Sequence, residues 1–307
     1  MSKEMGLLSK SDVATGLLLT LLSVNLQGQD IEAYPAQEWS EIAAADAQLD
    51  QTKIDRLFDL SFQDSATQGV VLIKNGLLVG ERYADGFSTD SYGTSWSMAK
   101  SFYAALIGIS IDRGEIISLD DPVALYLEYF NDERRDITLR DLLNMTSGLD
   151  FPDHEHEDMF FSADHLDYAR NVGVEKEAGL IFEYNNVNSM LLADILLQAT
   201  GVAADTLLRE RIFDKIGLDD VTLWQDGAGN PLTYCCVDTT ARQYARFGLL
   251  FARDGNWNGE QIIPKQFVDE TFSKVWDSLN SDTIAQDRGY SLHWWISRHD
   301  DQAVIFN

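Results

Sequence analysis

The chain is poor in cysteine, proline and positive charge. Its 307 residues hold two cysteines, five prolines, and 23 lysines and arginines against 50 aspartates and glutamates. The cysteines are adjacent, Cys235 and Cys236, which excludes a disulfide framework. Neighbouring Cα atoms across a trans peptide sit closer than disulfide geometry normally allows, so two buried thiols are expected. A formal charge of −27 argues against nucleic acid or an anionic membrane surface as partner, because both need clustered Lys and Arg. There is no internal repeat and no low-complexity stretch, and 45% hydrophobic residues are enough for a globular core. Gly76, Gly80 and Gly93 form no phosphate loop, so no nucleotide, redox or other cofactor is expected.

Long apolar runs are also lacking. VATGLLLTLLSVNL at 13–26 falls short of the roughly 20 residues that span a bilayer. With Lys3 and Lys10 ahead of it, the run fits the core of a signal peptide over 1–28, although Glu4 and Asp12 interrupt the leading segment and the cleavage site near Gly28 is weak. A periplasmic or secreted location is the expectation and a cytoplasmic one the alternative. No cysteine stands at the cut, so no stable membrane anchor is expected.

What is present begins with SWSMAKSF at 95–102. Ser97 and Lys100 form the only Ser-x-x-Lys pair in the chain and open a long apolar stretch. Three residues of separation put both side chains on one helix face, within reach of each other. The start of a helix favours an alkoxide or oxyanion and disfavours an ammonium. A buried Lys100 would therefore have the lowered pKa that a lysine general base requires. A chain with nine lysines has about even odds of one such pair by chance, so the surroundings must decide.

Those surroundings have a clear order. VVLIK and LLVGERY flank Asn75-Gly76, a strong hairpin signal, ahead of the serine. From about Ser101 to Ala252 the pattern is mainly helical, including ITLRDLLNMTSG with Thr138 as cap and Gly148 as stop. GYSLHWWIS and QAVIF return to strand character. The expectation is an α+β protein: a sheet-containing lobe from 29–110 and 256–307, a helical lobe at 111–255, and a sheet assembled from both ends.

SWSMAKSF, LDDPV at 119–123, DITLRDLLNMTSGL at 136–149, FEYNNVNSMLLADIL at 182–196 and YCCVDTTARQYARFGLLFARDG at 234–255 together resemble the serine β-lactamase and penicillin-recognising superfamily. Within it they are most similar to the class C-related esterases and the 6-aminohexanoate-oligomer hydrolases. The resemblance runs in order from about residue 35 to 296 and implies a β-lactamase/transpeptidase-like fold, an antiparallel sheet flanked by helices with a helical lobe inserted.

Two stretches fit the superfamily's Tyr-x-Asn motif, Tyr129 to Asn131 and Tyr184 to Asn186. The resemblance selects the second, in the helical lobe just before an apolar helix. It implies Ser97 as nucleophile, Lys100 and Tyr184 as proton carriers, and Asn186 as the residue that orients the substrate. The implied function is hydrolysis of small esters or linear amides through an acyl-enzyme. The alternatives are a β-lactamase or D-Ala-D-Ala peptidase, and a non-catalytic or acylation-only penicillin-recognising protein. The third motif, a Gly-rich strand with the second oxyanion donor, is expected shortly after GYSLHWWIS but is not found before Asn307. The expectation is a truncated sheet, with the activity of these 307 residues in doubt. DHEHED at 153–158 places His154 and His156 among carboxylates, but without further ligands at recognisable spacing no metal site is expected. Trp294 and Trp295 alternate across a strand, so one should face the core, and the other either walls the substrate site or, by default, simply packs.

Overall fold

The computed structural model describes residues 33–151, 155–273, 276–277, 288–299 and 302–306. The expected signal segment at 1–28 lies outside them. β1 (Gly69–Lys74) and β2 (Leu77–Tyr83) pair antiparallel through Asn75 at φ 51° and Gly76 at φ 77°, the left-handed pair that a two-residue hairpin turn needs. Gly76 is constrained a second time, because a Cβ there would lie 1.7 Å from the Ala33 carbonyl oxygen. α1 (Gln51–Ser61) starts at Asp50, whose carboxylate accepts from the Thr52 amide, and buries Ile54 and Phe58 against Val70, Leu72 and Val79 of the hairpin.

A second small sheet leads the chain to the serine. β3 (Tyr92–Thr94) and β4 (Thr222–Leu223) flank β5 (Val237–Thr240). Beyond β3, a 3₁₀ turn over Trp96–Met98 runs into α2 (Ala99–Asp112). Every α2 residue from Ala99 to Ser110 is buried, as befits a helix that is apolar all round. Phe102 stacks on Phe247 with ring centres 3.8 Å apart. Gly108 admits the Phe267 ring so closely that a Cβ would sit 2.5 Å from it.

The middle of the chain is helical: α3 (Leu139–Leu143), α4 (Glu155–Phe161), α5 (His165–Arg170), α6 (Asn186–Thr200), α7 (Ala204–Leu208), α8 (Asp214–Ile216) and α9 (Ala241–Ala252), with α10 (Lys265–Ser273) following. Thr138 caps α3 in a reciprocal capping box with Asp141. The helix stops at Leu143 rather than running on to Gly148. Met145 takes φ 58°, and its carbonyl accepts from the Glu183 amide rather than continuing the helix. On α9 the buried guanidinium of Arg246 donates to the carbonyls of Ala36 (2.6 Å), Gln37 (2.9 Å) and Ile216 (2.9 Å).

β6 (Asn256–Trp257) and β7 (Glu260–Gln261) form a short ladder. β8 (Trp276–Asp277), β9 (Arg288–Ser291), β10 (Trp294–His299) and β11 (Gln302–Phe306) form an antiparallel sheet in the order β11-β10-β9-β8. One sheet drawn from both chain ends is not what the described residues show. β1 and β2 pair with each other, and β9 and β10 sit in the separate four-stranded sheet. Among the described residues no single helix is long and apolar enough to cross a membrane.

Candidate active site

The site is built at the bend between β3 and α2. Ser95 is fastened to β5 in both directions: its amide donates to the Val237 carbonyl at 2.8 Å, and its hydroxyl accepts from the Val237 amide at 2.9 Å. The chain must then turn at once into α2, and Trp96 takes φ 46° to do so. Such a conformation is uncommon for a bulky residue and recurs where a site holds the backbone out of its preferred range. Ser97 follows, inside the turn that opens α2.

Lys100 lies one helical turn on and is completely buried. Its Nζ is 3.0 Å from Ser97 Oγ and donates to the Tyr234 carbonyl at 2.8 Å. The 3.0 Å contact serves in either direction: an ammonium donates to Oγ, whereas a neutral amine accepts from the Ser97 O–H. The rings of Tyr184 and Tyr234 lie 5.0 and 5.7 Å from Nζ, an arrangement that favours the cation. Burial opposes it and prevails, pulling the amine down to about 7.

This shift has a consequence for stability. Between the ordinary lysine value of 10.5 and about 7, the unfolded chain holds a proton that the folded protein lacks. The contribution of Lys100 to stability therefore rises with pH across that window and is flat below it. Urea unfolding of the wild type and of Lys100→Met should show the variant's advantage shrinking from pH 7 to 10. A constant difference would mean that Lys100 titrates normally.

Tyr184 meets Ser97 from the loop that precedes α6. Its backbone is set on one side by the Glu183 amide donating to the Met145 carbonyl. On the other, Asn185 accepts from the Val187 amide as the cap of α6 and donates to the Leu149 carbonyl. Burial pushes the Tyr184 phenol up to about 12, with the nearby Ser97 hydroxyl opposing the shift. Its ring lies parallel to Trp295 at 5.8 Å and edge-on to Tyr290 at 6.0 Å. Trp294 faces the other way, into the core against Phe247. Asn186 opens α6, two residues beyond Tyr184. Tyr129 is elsewhere, its phenol donating to the buried Asp194 at 3.0 Å. Ser97, Lys100 and Tyr184 are thus brought together, and Tyr129 is not among them.

Sequence reasoning missed Tyr234, which gives its carbonyl and its ring face to Lys100. Its phenol pairs with His165 Nδ1 at 3.0 Å. The signal lay in YCCVDTTARQYARFG, a block that sequence periodicity reads only as a helix. The sulfurs of Cys235 and Cys236, expected as two thiols, are brought together in a sharp turn where Cys236 takes φ 118°. The DHEHED stretch falls on residues whose side chains lie largely outside the described ones. Among the described residues, no group of three or more His, Cys, Asp or Glu is arranged to hold a metal.

Comparison with known proteins adds to this geometry. The family profile described as Beta-lactamase matches residues 54–307. The chain is 22% identical over 273 residues to the 6-aminohexanoate-dimer hydrolase of Paenarthrobacter ureafaciens, covering 80% of this chain and 68% of that one. It is 31% identical over 178 residues to the D-aminopeptidase of Brucella anthropi, covering 52% and 33%. The D-stereospecific amidohydrolase of a Streptomyces species superposes with a TM-score of 0.64 at 17% identity, over 84% of this chain and 86% of that one.

Proposed function

The chain belongs to the beta-lactamase family, and we propose that it is a serine hydrolase that cleaves small esters or linear amides through an acyl-enzyme on Ser97. The observation that carries this reading is the 3.0 Å approach of Ser97 Oγ to an amine that burial has brought to about 7. A lysine that is half neutral near pH 7 can take the Ser97 proton, and an ordinary lysine cannot.

The steps follow from that geometry. The Ser97 proton passes to Lys100 Nζ while Oγ bonds to the substrate carbonyl carbon. The resulting oxyanion is held by the Ser97 amide at the start of α2, where backbone N–H groups lack helical partners. As the intermediate collapses, the bond to the leaving group breaks, and the Lys100 proton reaches the departing oxygen or nitrogen through the Tyr184 phenol. Water then repeats the sequence in reverse: it gives a proton to the Lys100–Tyr184 pair, attacks the ester carbon and releases the acid with Ser97 restored. Asn186, at the head of α6, orients the acyl group. The relatives named for 6-aminohexanoate dimer, for aminopeptidase action and for amidohydrolysis favour linear amides over β-lactams.

The test is a fluorophosphonate adduct mapped by mass spectrometry, alongside nitrophenyl esters, an aminohexanoate dimer and a chromogenic cephalosporin. The adduct is expected on Ser97, with turnover of the esters and the linear amide. An adduct on Ser95 or Ser101 overturns the assignment of the nucleophile. Turnover of the cephalosporin alone selects a β-lactamase, and labelling without turnover an acylation-only protein.

A further inference from the structure

Behind the candidate site lies a hairpin turn of unusual composition. Ser291 pairs with Trp294 across the β9–β10 ladder, so the loop consists of Leu292 and His293, at φ 45° and 64°. Two-residue hairpin turns with two positive φ angles ordinarily carry Asn and Gly and face water. Here a leucine and a histidine accept that backbone, and both are completely buried. Backbone strain of this kind persists only where the surrounding structure holds it.

The holding contacts converge on the machinery proposed above. The Leu292 amide donates to Asn144 Oδ1 at 3.0 Å, and the His293 amide to the Leu143 carbonyl at 2.9 Å. The His293 carbonyl accepts from Ser101 Oγ at 2.6 Å, and Ser101 is the neighbour of Lys100 on α2. The imidazole Nε2 lies 3.0 Å from Ser189 Oγ on α6, and Nδ1 lies 3.5 Å from the Tyr290 phenol. Tyr290 in turn sets its ring edge-on to Tyr184. The Ser189 carbonyl accepts from Thr233 Oγ1 at 2.6 Å, next to the residue whose carbonyl receives Lys100. One side chain and its backbone thus touch the supports of Lys100 on α2, of Tyr184 through Tyr290, and of Tyr234 through Ser189.

We propose that His293 is a positioning residue for the Lys100–Tyr184 pair, a buried imidazole that fixes both groups relative to Ser97. This rests on the reading of Lys100 and Tyr184 as proton carriers. The titrating groups facing the imidazole are Lys100 on α2 and Tyr290 on β9. From α3 and α6 it meets the Leu143 carbonyl and Ser189, which are neutral. Burial and the nearby Lys100 both hold His293 well below the ordinary histidine value, so it stays uncharged while Lys100 titrates.

Three substitutions test the proposal. His293→Leu fills the space but meets neither Ser189 nor Tyr290, and its apolar body deepens the desolvation of Lys100. Its kcat should fall at least tenfold with KM little changed, and the acid limb of kcat/KM should move to lower pH. His293→Asn tolerates the positive φ but is too short to reach Ser189, so it should fold and still lose kcat. His293→Gln, which reaches Ser189, should restore kcat to within about threefold of the wild type. Folded Leu and Asn variants with the wild-type kcat and acid limb overturn the proposal, as does a lower kcat with an unmoved acid limb in His293→Leu. Fluorophosphonate labelling of the wild type is run in parallel: if Ser97 takes no adduct, the hydrolase reading itself fails, and if it does, the variants judge His293 alone.

Discussion

Ser97→Ala is expected to lower turnover of esters and amides by about 10⁴-fold or more, the scale at which a covalent mechanism loses its nucleophile. The fold should be unaffected. Ser97 sits in a one-turn 3₁₀ segment whose backbone is fixed by Ser95 and Val237, and its hydroxyl contributes a hydrogen bond to Lys100. Removing it frees the buried amine from a partner without creating a new charge. Circular dichroism and urea midpoints near those of the wild type, together with loss of the phosphonate adduct, would separate a chemical effect from a structural one. Retention of wild-type turnover by Ser97→Ala would sink the mechanism.

The second large effect concerns the proposed proton carriers. Lys100→Ala and Tyr184→Phe should each reduce kcat by roughly 10²- to 10⁴-fold, the range for positioned acid–base groups. The double variant should lose less than the product of the two, because residues that act as a unit are not additive. The two singles should differ in their pH dependence. Tyr184→Phe retains the buried amine, so its residual rate should still rise through pH 7 as Lys100 loses its proton. Lys100→Ala should lose that limb. A silent Tyr184→Phe beside a crippling Tyr129→Phe would move the site to the other Tyr-x-Asn stretch, against the Tyr129–Asp194 contact.

How much was legible depended on the reach of each interaction. The Ser97–Lys100 contact, the Asn75-Gly76 turn and the Thr138 cap were readable because each is settled within four residues of chain. The end of α3 was not. Nothing local marks Met145 for a left-handed conformation; its carbonyl is claimed by Glu183, far along the sequence. The choice between Tyr129 and Tyr184 was equally closed to local pattern, since both precede an asparagine by two residues. The fold separates them by sending the Tyr129 phenol to Asp194 and setting the Tyr184 ring 5.0 Å from Lys100 Nζ. Tyr234 escaped notice because its part is played by a carbonyl, which no side-chain motif records.

Arg246 determines how the early part of the described chain comes apart. One desolvated cation satisfies the carbonyls of Ala36, Gln37 and Ile216 together, so peeling residues 35–37 away would strand a buried charge, a penalty far above that of fraying an ordinary strap. Segments tied in this way open only with the body they are tied to. Residues 35–37 therefore leave α9 only when the core opens, even though Ala36 and Gln37 themselves face water.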